Sequence, residues 1–357
     1  MTPPRLLIVA DDLTGALDSA GEAAKLGIGT RVFLSPAALA AAAGTTLPPV
    51  VAVSTGSRDG TVAAAAAAMH DVCASLSWLR PERVMKKVDS RLKGHVAIEC
   101  AILAEALLRP QIIAAPALPD MERVQRDGWL TGAGIETPVE IALRFSGLSL
   151  HVPDITDAAQ MKEAAELDGL PVGARSLAAA LVAQLWPEAT RHEKPPLPGP
   201  AVLAIGSRDP ITLAQVERLD LPLCLAPNGR LPPEPPRAPC AMQMVSGGAE
   251  RSAAEAGANF AEGLTKMILR DPVSTLIACG GETAAAILAR LGVDHVEVLG
   301  LALPGIAVVR AALPGSRDLT VVTKSGGFGV VDTLAQLVDL VDNRPAPTRA
   351  SRYGITA

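Results

Sequence analysis

Short apolar runs rich in β-branched residues recur along the first half of the chain: RLLIVA at 5–10, TRVFL at 30–34, VVAVST at 50–55, VMKKVD at 84–89 and QIIAAPA at 111–117. Runs of this length and make-up are predicted strands. Between several of them lie alanine-rich stretches of helical length, GALDSAGEAAKLG, TVAAAAAAMHDVCASLSWL and HVAIECAILAEALL. The poly-alanine at 63–68 is low in complexity, yet alanine is the best helix former, so it reads as ordered helix. Strands apolar on both faces, alternating with helices, predict an α/β fold with a parallel, doubly wound sheet.

The alternation breaks at WPEATRHEKPPLPGP, residues 186–200, which is too dense in proline and charge to continue a helix. It then resumes with AVLAIGS at 201–207, ITLAQVERL, PLCLAP, a second proline-rich loop at 227–239, and a helical stretch over 250–270. TLIACGG, ETAAAILARLG, TVVTKSGG and VDTLAQLVDLV follow as strand, helix, strand and helix, and no repeat of fixed period is evident. A chain of 357 residues is too long for one ordinary core. Two domains are therefore expected, 1–190 and 200–345, joined by a linker at 186–200.

Composition narrows the partners. Hydrophobic residues make up 49% and charged residues 19%, enough for a large core, while aromatics at 2% make that core aliphatic and leave few stacking platforms for bases. A formal net charge of -5 repels a polyanion at long range, so no nucleic-acid partner is expected. The first residues, MTPPRLLIVADDLTG, carry neither a signal-peptide pattern nor a membrane span, which makes a cytoplasmic location the expectation. Five cysteines without a C-x-x-C pair read as buried thiols in a reducing compartment. Five histidines without H-E-x-x-H spacing give no protein metal site.

In doubly wound sheets ligands gather at the carboxyl ends of the strands, so the residues just after each apolar run carry the candidate chemistry. In the first half these are Asp11 and Asp12; Ser57 and Arg58; and Lys86, Lys87, Asp89, Ser90, Arg91, Lys93 and Gly94. In the second half they are Gly206 and Ser207; Gly280, Gly281, Glu282 and Thr283; and Lys324 to Gly329, including Gly326 and Gly327. The first set offers carboxylates, hydroxyls and cations suited to a small polar acid. The second offers glycine turns whose backbone N–H groups can approach phosphate oxygens where a Cβ would obstruct them. A phosphotransferase with two substrates needs that division.

Each piece also has a structural reading. Asp11-Asp12 ahead of Thr14 could cap a helix, KKVDSRLKG could be a solvated basic turn, GGET could be an ordinary α/β link, and Lys324 could flank a strand. No G-x-x-x-x-G-K-[ST], G-x-G-x-x-G or G-x-S-x-G is present, which removes the usual phosphate loop, the dinucleotide fingerprint and the hydrolase elbow. A phosphatase using Asp11-Asp12 would need D-x-D after the first strand, and Leu13-Thr14 does not complete one.

Taken together, IVADDLTGALDSAGEAAKLG (8–27), VSTGSRDG (53–60), KKVDSRLKGHVAIE (86–99), APALP (115–119), AIGSRDPITLAQVERL (204–219), GGETAAAILARLGV (280–293), LPGI (303–306) and VVTKSGGFGVVDTL (321–334) resemble the four-carbon acid sugar kinases. The blocks stand in that family's order and span nearly the whole chain. The resemblance implies two α/β domains facing a central cleft and ATP-dependent phosphorylation, with Mg2+, of a hydroxyl on a four-carbon sugar acid of the threonate, erythronate or oxo-tetronate class. It also leaves a homodimer as an assembly to test. On the acceptor side it implies Asp12, Arg58, Lys87, Asp89, Ser90 and Gly94, with Asp12 and Asp89 the expected catalytic carboxylates; Asp11, Ser57 and Arg91 join the acid-holding candidates from their places at the strand ends. On the nucleotide side it implies Ser207, Gly280, Gly281, Glu282, Thr283, Gly326 and Gly327, and Lys324 joins them as a candidate from its place at a strand end. Where the family usually reads D-S-T-L-R-G-N, this chain has DSRLKGH, so Arg91, Lys93 and His95 depart from the pattern. That departure keeps open an alternative in which the chain binds a sugar acid without turning it over.

Overall fold

The computed structural model describes residues 3–248, 251–313, 315 and 317–342. Residues 1–2 and 343–345, the outer ends of the expected domains, and Glu250, the first residue of the helix expected over 250–270, lie outside the described residues. The chain forms two compact units: the first runs to Lys194 and takes in Val293–Val309, and the second holds Pro195–Gly292 and resumes at Arg310.

The first unit contains β1 (Leu6–Ala10), α1 (Leu13–Ala24), β2 (Thr30–Phe33), α2 (Pro36–Ala41), β3 (Val50–Ser54), α3 (Val62–Leu79), β4 (Arg83–Lys87), α4 (Val96–Ala106) and β5 (Gln111–Ala115). A small antiparallel sheet follows, β6 (Arg123–Arg126), β7 (Trp129–Gly132) and β8 (Val139–Glu140), then β9 (Ser149–His151), α5 (Ala158–Glu166), β10 (Leu170–Gly173) and α6 (Arg175–Leu185). In the main sheet of this unit the strands lie in the order β2-β3-β1-β4-β10-β5-β9, all parallel. Every residue of β1 and β3 is buried, as strands covered by helices on both faces require. The register aligns Ser54, Ala10, Lys87, Gly173 and Ala115 in one row across five adjacent strands. That row ends the strands at their carboxyl side.

Helix α3 is long and apolar enough by composition to cross a membrane. Its buried positions, Ala65, Met69, Val72, Ser75 and Leu79, nevertheless recur at helical spacing and include members of the apolar core.

The second unit contains β11 (Leu197–Pro198), β12 (Ala201–Ile205), α7 (Pro210–Val216), β13 (Leu223–Pro227), β14 (Cys240–Val245), α8 (Ala253–Arg270), β15 (Thr275–Cys279) and α9 (Gly281–Arg290). After β16 (His295–Leu303), which belongs to the first unit, come β17 (Ile306–Leu313), which belongs to the first unit as far as Val309 and to the second from Arg310, then β18 (Arg317–Lys324), α10 (Thr333–Asp339) and β19 (Val341–Asp342). The sheet of this unit runs β13-β14-β12-β15-β18 with parallel pairing, and Ile205, Cys279 and Lys324 stand side by side in register. Ser252 and Glu255 form a reciprocal capping box at the start of α8.

β16 is antiparallel within this mainly parallel architecture. It pairs antiparallel with β2 at the edge of the first unit's sheet, His295 opposite Phe33 and Glu297 opposite Arg31. Its sequence HVEVLGLAL alternates buried and more exposed positions over 295–299 and is buried at 300–302, and the turn Pro304-Gly305 with Gly305 at φ +69° leads directly into β17, so that β16 has hydrogen-bonded neighbours in both β2 and β17.

Candidate functional site

Two clusters lie at the carboxyl ends of strands, one in each unit. In the first, Asp11 leaves the end of β1 and is 1% exposed. Arg58, in the loop after β3, donates Nε to Asp11 Oδ2 at 2.8 Å and Nη2 to Asp11 Oδ1 at 2.7 Å, and the same Nη2 reaches Asp12 Oδ1 at 2.7 Å. Burial alone would raise the Asp11 carboxyl. The Arg58 fork, with Lys86 and Lys87 behind it, overrides that and holds it below the usual carboxylate range.

Asp12 caps α1: its Oδ1 also accepts from Gly15 N at 2.9 Å and its Oδ2 from Thr14 Oγ1 at 2.5 Å. The capping role and the Arg58 contact therefore coexist in one side chain. Lys87 Nζ donates to Val88 O at 2.8 Å and sits over Gly15, where a Cβ would come within 2.8 Å of it. Gly94 closes the cluster at φ +87°, and a Cβ there would lie 3.5 Å from Asp11 Oδ2. Only glycine holds that backbone conformation without strain while letting the loop lie against the Asp11–Arg58 pair.

The turn after β4 is organised by Asp89, whose Oδ1 accepts from Arg91 N at 2.9 Å and Lys93 N at 3.4 Å. Both bonds fall on one oxygen. Ser90 Oγ receives Arg123 Nη1 at 2.5 Å, and the same guanidinium donates Nη2 to Ala133 O at 2.6 Å. Arg91, Lys93 and Gly94 are exposed. Ser57 is placed differently from an acid-holding residue: it is buried, and its hydroxyl is bonded to the Glu99 carboxylate and to Thr55 Oγ1. Glu99 in turn pairs with the fully buried Lys86 at 3.0 Å.

A second charge centre, absent from the sequence reading, adjoins the first. Arg175 opens α6 just past Gly173 in the strand-end row and is 7% exposed. It contacts Asp18 and Glu22 of α1, each at 3.4 Å, and Asp120 in the loop after β5 at 2.5 Å. Burial pushes the Asp18 carboxyl up to about 7, against Arg175 and Lys87, which favour its ionised form. Asp18 Oδ1 is buried without a hydrogen-bond partner.

In the second unit, β12, β15 and β18 end side by side. Gly206 N and Ser207 N donate to Cys279 O at 3.1 and 3.2 Å, and Gly280 N donates to Lys324 O at 2.9 Å. Gly280 has φ +114°, which turns the chain from β15 into α9. No side chain caps that helix, so Gly281, Glu282 and Thr283 open it with their N–H groups unclaimed by a capping side chain. A Cβ on Gly206 would collide with Thr283 Oγ1, one on Gly326 with Ser207 Oγ, and one on Gly327 would fall 2.9 Å from Asp209 Oδ2. The three turns therefore pack on one another through their glycines. A cavity of about 730 Å³ opens from Gly206, Glu282 and Thr283 along small residues of α8 and α9, among them Ala254, Gly257 and Ala286.

Lys324 does not stand as a flank in solvent. It is fully buried, with Nζ donating to Thr212 Oγ1 at 3.1 Å and to Ser325 O and Gly326 O at 3.0 Å each. Asp209, the N-cap of α7, is a carboxylate against the glycine loop that the sequence reading passed over inside AIGSRDP. Its cue was the S-x-D-P spacing, an N-cap with proline at the first helical position. Arg175 and Asp120 had a weaker cue, since each follows a strand that lies next to β4 or β10 only once the strand order is known.

A sugar-binding N-terminal domain model matches residues 6–181, and a nucleotide-binding C-terminal domain model matches residues 236–334. The D-threonate kinase of Bordetella bronchiseptica is 26% identical to this chain, over 96% of it and 99% of the relative. Two solved structures are similar in fold. A Salmonella typhimurium LT2 protein, provisionally described as a tRNA synthase, superposes with a TM-score of 0.74 at 20% identity, covering 93% of this chain and 98% of that one. A Haemophilus influenzae protein of the DUF1537 family superposes at 0.66 and 20% identity, covering 92% and 98%.

Proposed function

We propose that this chain, which belongs to the four-carbon acid sugar kinase family, transfers the γ-phosphoryl group of ATP to a hydroxyl of a four-carbon sugar acid, with D-threonate the first acid to test. The observation that carries the reading is the contrast between the two strand-end clusters: paired carboxylates and cations in the unit matched as sugar-binding, and side-chain-free amides in the unit matched as nucleotide-binding.

In the first cluster, Asp11 and Asp12 are both pinned by Arg58, which holds the Asp11 carboxyl below the usual carboxylate range, and their oxygens serve as acceptors for sugar hydroxyls. Arg91, Ser90 and Arg123 gather positive charge and donors at the turn after β4, suited to the acid's carboxylate. Asp89 uses one oxygen for the turn and offers the other to the reacting hydroxyl, whose proton it accepts as the new O–P bond forms and the bond to the β-phosphate oxygen breaks. Lys87, above the start of α1, neutralises charge near that hydroxyl.

In the second cluster, the amides of the α9 start and of Gly326 and Gly327 hold phosphate oxygens, and the cavity along α8 and α9 takes the nucleoside, with Glu282 placed for the ribose hydroxyls. Mg2+ fits the donor set here. Asp209 and Ser207 are hard oxygen donors beside the glycine loop and would hold the ion, which supplies neutralisation of the phosphate charge.

The test is ADP release by the purified chain with MgATP and a panel of threonates, erythronates and oxo-tetronates. Release that depends on one of these acids supports the reading. Thermal stabilisation by an acid without any ADP release would instead favour a binding protein of the same fold.

A further inference from the structure

We propose that Lys324 is a positioning residue of the nucleotide site, acting on the phosphate-holding loop from beneath and not on the phosphate itself. The proposal rests on the nucleotide reading of the second unit and assigns a part within it.

A lysine with no exposed surface, 0% in this fold, needs a structural reason, because burying an ammonium is costly unless its donors are all met. Here the three donors meet Thr212 Oγ1, Ser325 O and Gly326 O. A trans peptide sets each carbonyl opposite the N–H of the following residue. Drawing the Ser325 and Gly326 carbonyls toward Nζ therefore turns the Gly326 and Gly327 amides to the other side of the loop. Neighbouring side chains pull the same way: Thr212 Oγ1 donates to Gly326 O at 2.5 Å, and Gln215 Nε2 donates to Phe328 O at 3.1 Å and Val330 O at 2.8 Å. Four carbonyls of one loop are thus claimed by Thr212, Gln215 and Lys324. Among the described residues, the backbone bonds of this loop include Phe328 N to Ser325 O, and none is donated by Gly326 or Gly327.

A phosphate ligand and a loop-holder respond differently to substitution. Lys324→Met removes the cation, Lys324→Arg keeps a cation that the closed slot cannot seat, and Thr212→Val removes the bridging hydroxyl at nearly constant volume. Calorimetry with ATP and with the sugar acid, together with steady-state KM for both, reads the outcome. We expect ATP affinity to fall by about 10- to 100-fold in both Lys324 variants and by a smaller factor in Thr212→Val, with acid KM unchanged, since each misaligned amide forfeits a hydrogen bond to a charged group.

Rescue of ATP affinity by Lys324→Arg would make Lys324 a phosphate contact and overturn the proposal. So would wild-type ATP affinity in Thr212→Val and a folded Lys324→Met. If Lys324→Met fails to fold, Thr212→Val still decides. A wild-type chain that binds neither ATP nor ADP would remove the nucleotide reading itself, an outcome separable from the others because it needs no variant.

Discussion

Arg58 holds Asp11 by a two-bond fork, Nε to Oδ2 at 2.8 Å and Nη2 to Oδ1 at 2.7 Å, where Asp11 is 1% exposed. Because Asp11 is held below its ordinary value, its contribution to stability is complete above the unfolded carboxylate range near pH 4 and is lost as pH falls through the lower folded value. Arg58→Met leaves a buried carboxylate without its partner and should lower unfolding free energy at pH 7 by about 3 kcal/mol. Burial then raises the Asp11 carboxyl, so the variant should recover stability as pH drops from 7 toward 5, a window in which the parent's contribution at this site is flat. Urea unfolding of both proteins at several pH values measures this, and parallel pH curves would show that the fork does not set the Asp11 charge.

Asp18 runs the other way. Its carboxyl is pushed up to about 7, so the folded chain binds the extra proton between about pH 4 and pH 7, and the associated stability is present below that window and lost as pH rises through it. Asp18→Asn removes the titration. Relative to the parent, the variant should gain on the order of 2 kcal/mol on going from pH 5 to pH 8. A constant difference across that range would mean that Arg175 keeps Asp18 ionised throughout.

The glycine contacts of the second cluster should separate the two substrates. Gly327→Val places side-chain atoms against Asp209, and Gly281→Val puts a branched residue at the start of α9. Both should raise KM for ATP by at least about tenfold while KM for the acid stays within about twofold, since added Cβ atoms stand where phosphate approaches the amides. Circular dichroism of each variant accompanies the kinetics, and equal effects on both substrates would indicate a folding defect.

Asp89 and Asp12 should part company on substitution. Asp89→Asn should depress kcat by on the order of 10² with a modest change in acid affinity, as loss of a general base does. Asp12→Asn keeps an N-cap but loses charge beside Arg58, so its effect should fall mainly on acid KM. The reverse pattern would give the proton to Asp12.

Much of this architecture is legible in the sequence because local and global signals agree. The five first-half strands read from apolar β-branched runs match β1 to β5 within a residue or two, and the alanine-rich stretches match α1, α3 and α4. The glycine turns after β15 and β18 are also where the pattern puts them. What escapes is what depends on strand order. Residues 293–309 follow the second proline-rich stretch in sequence yet complete the first unit, because β16 pairs with β2. A fragment starting at Pro200 would carry Val296, Leu301 and Ala302 without the unit that buries them. Arg175 and Asp120 likewise become neighbours of Asp18 only through the β4-β10-β5 adjacency, which no local spacing encodes. Side-chain direction was the other hidden quantity: Ser57 and Lys324 stand at strand ends as expected, but their polar atoms serve Glu99 and the loop carbonyls.

The most direct measurement is phosphorus NMR of the product mixture formed by the purified chain from MgATP and D-threonate, extended to the other tetronates. The account predicts ADP and a sugar-acid phosphomonoester appearing in equal amounts, with no inorganic phosphate. ATP left intact across the whole panel, or ATP split to ADP and inorganic phosphate with the acid unmodified, would contradict it.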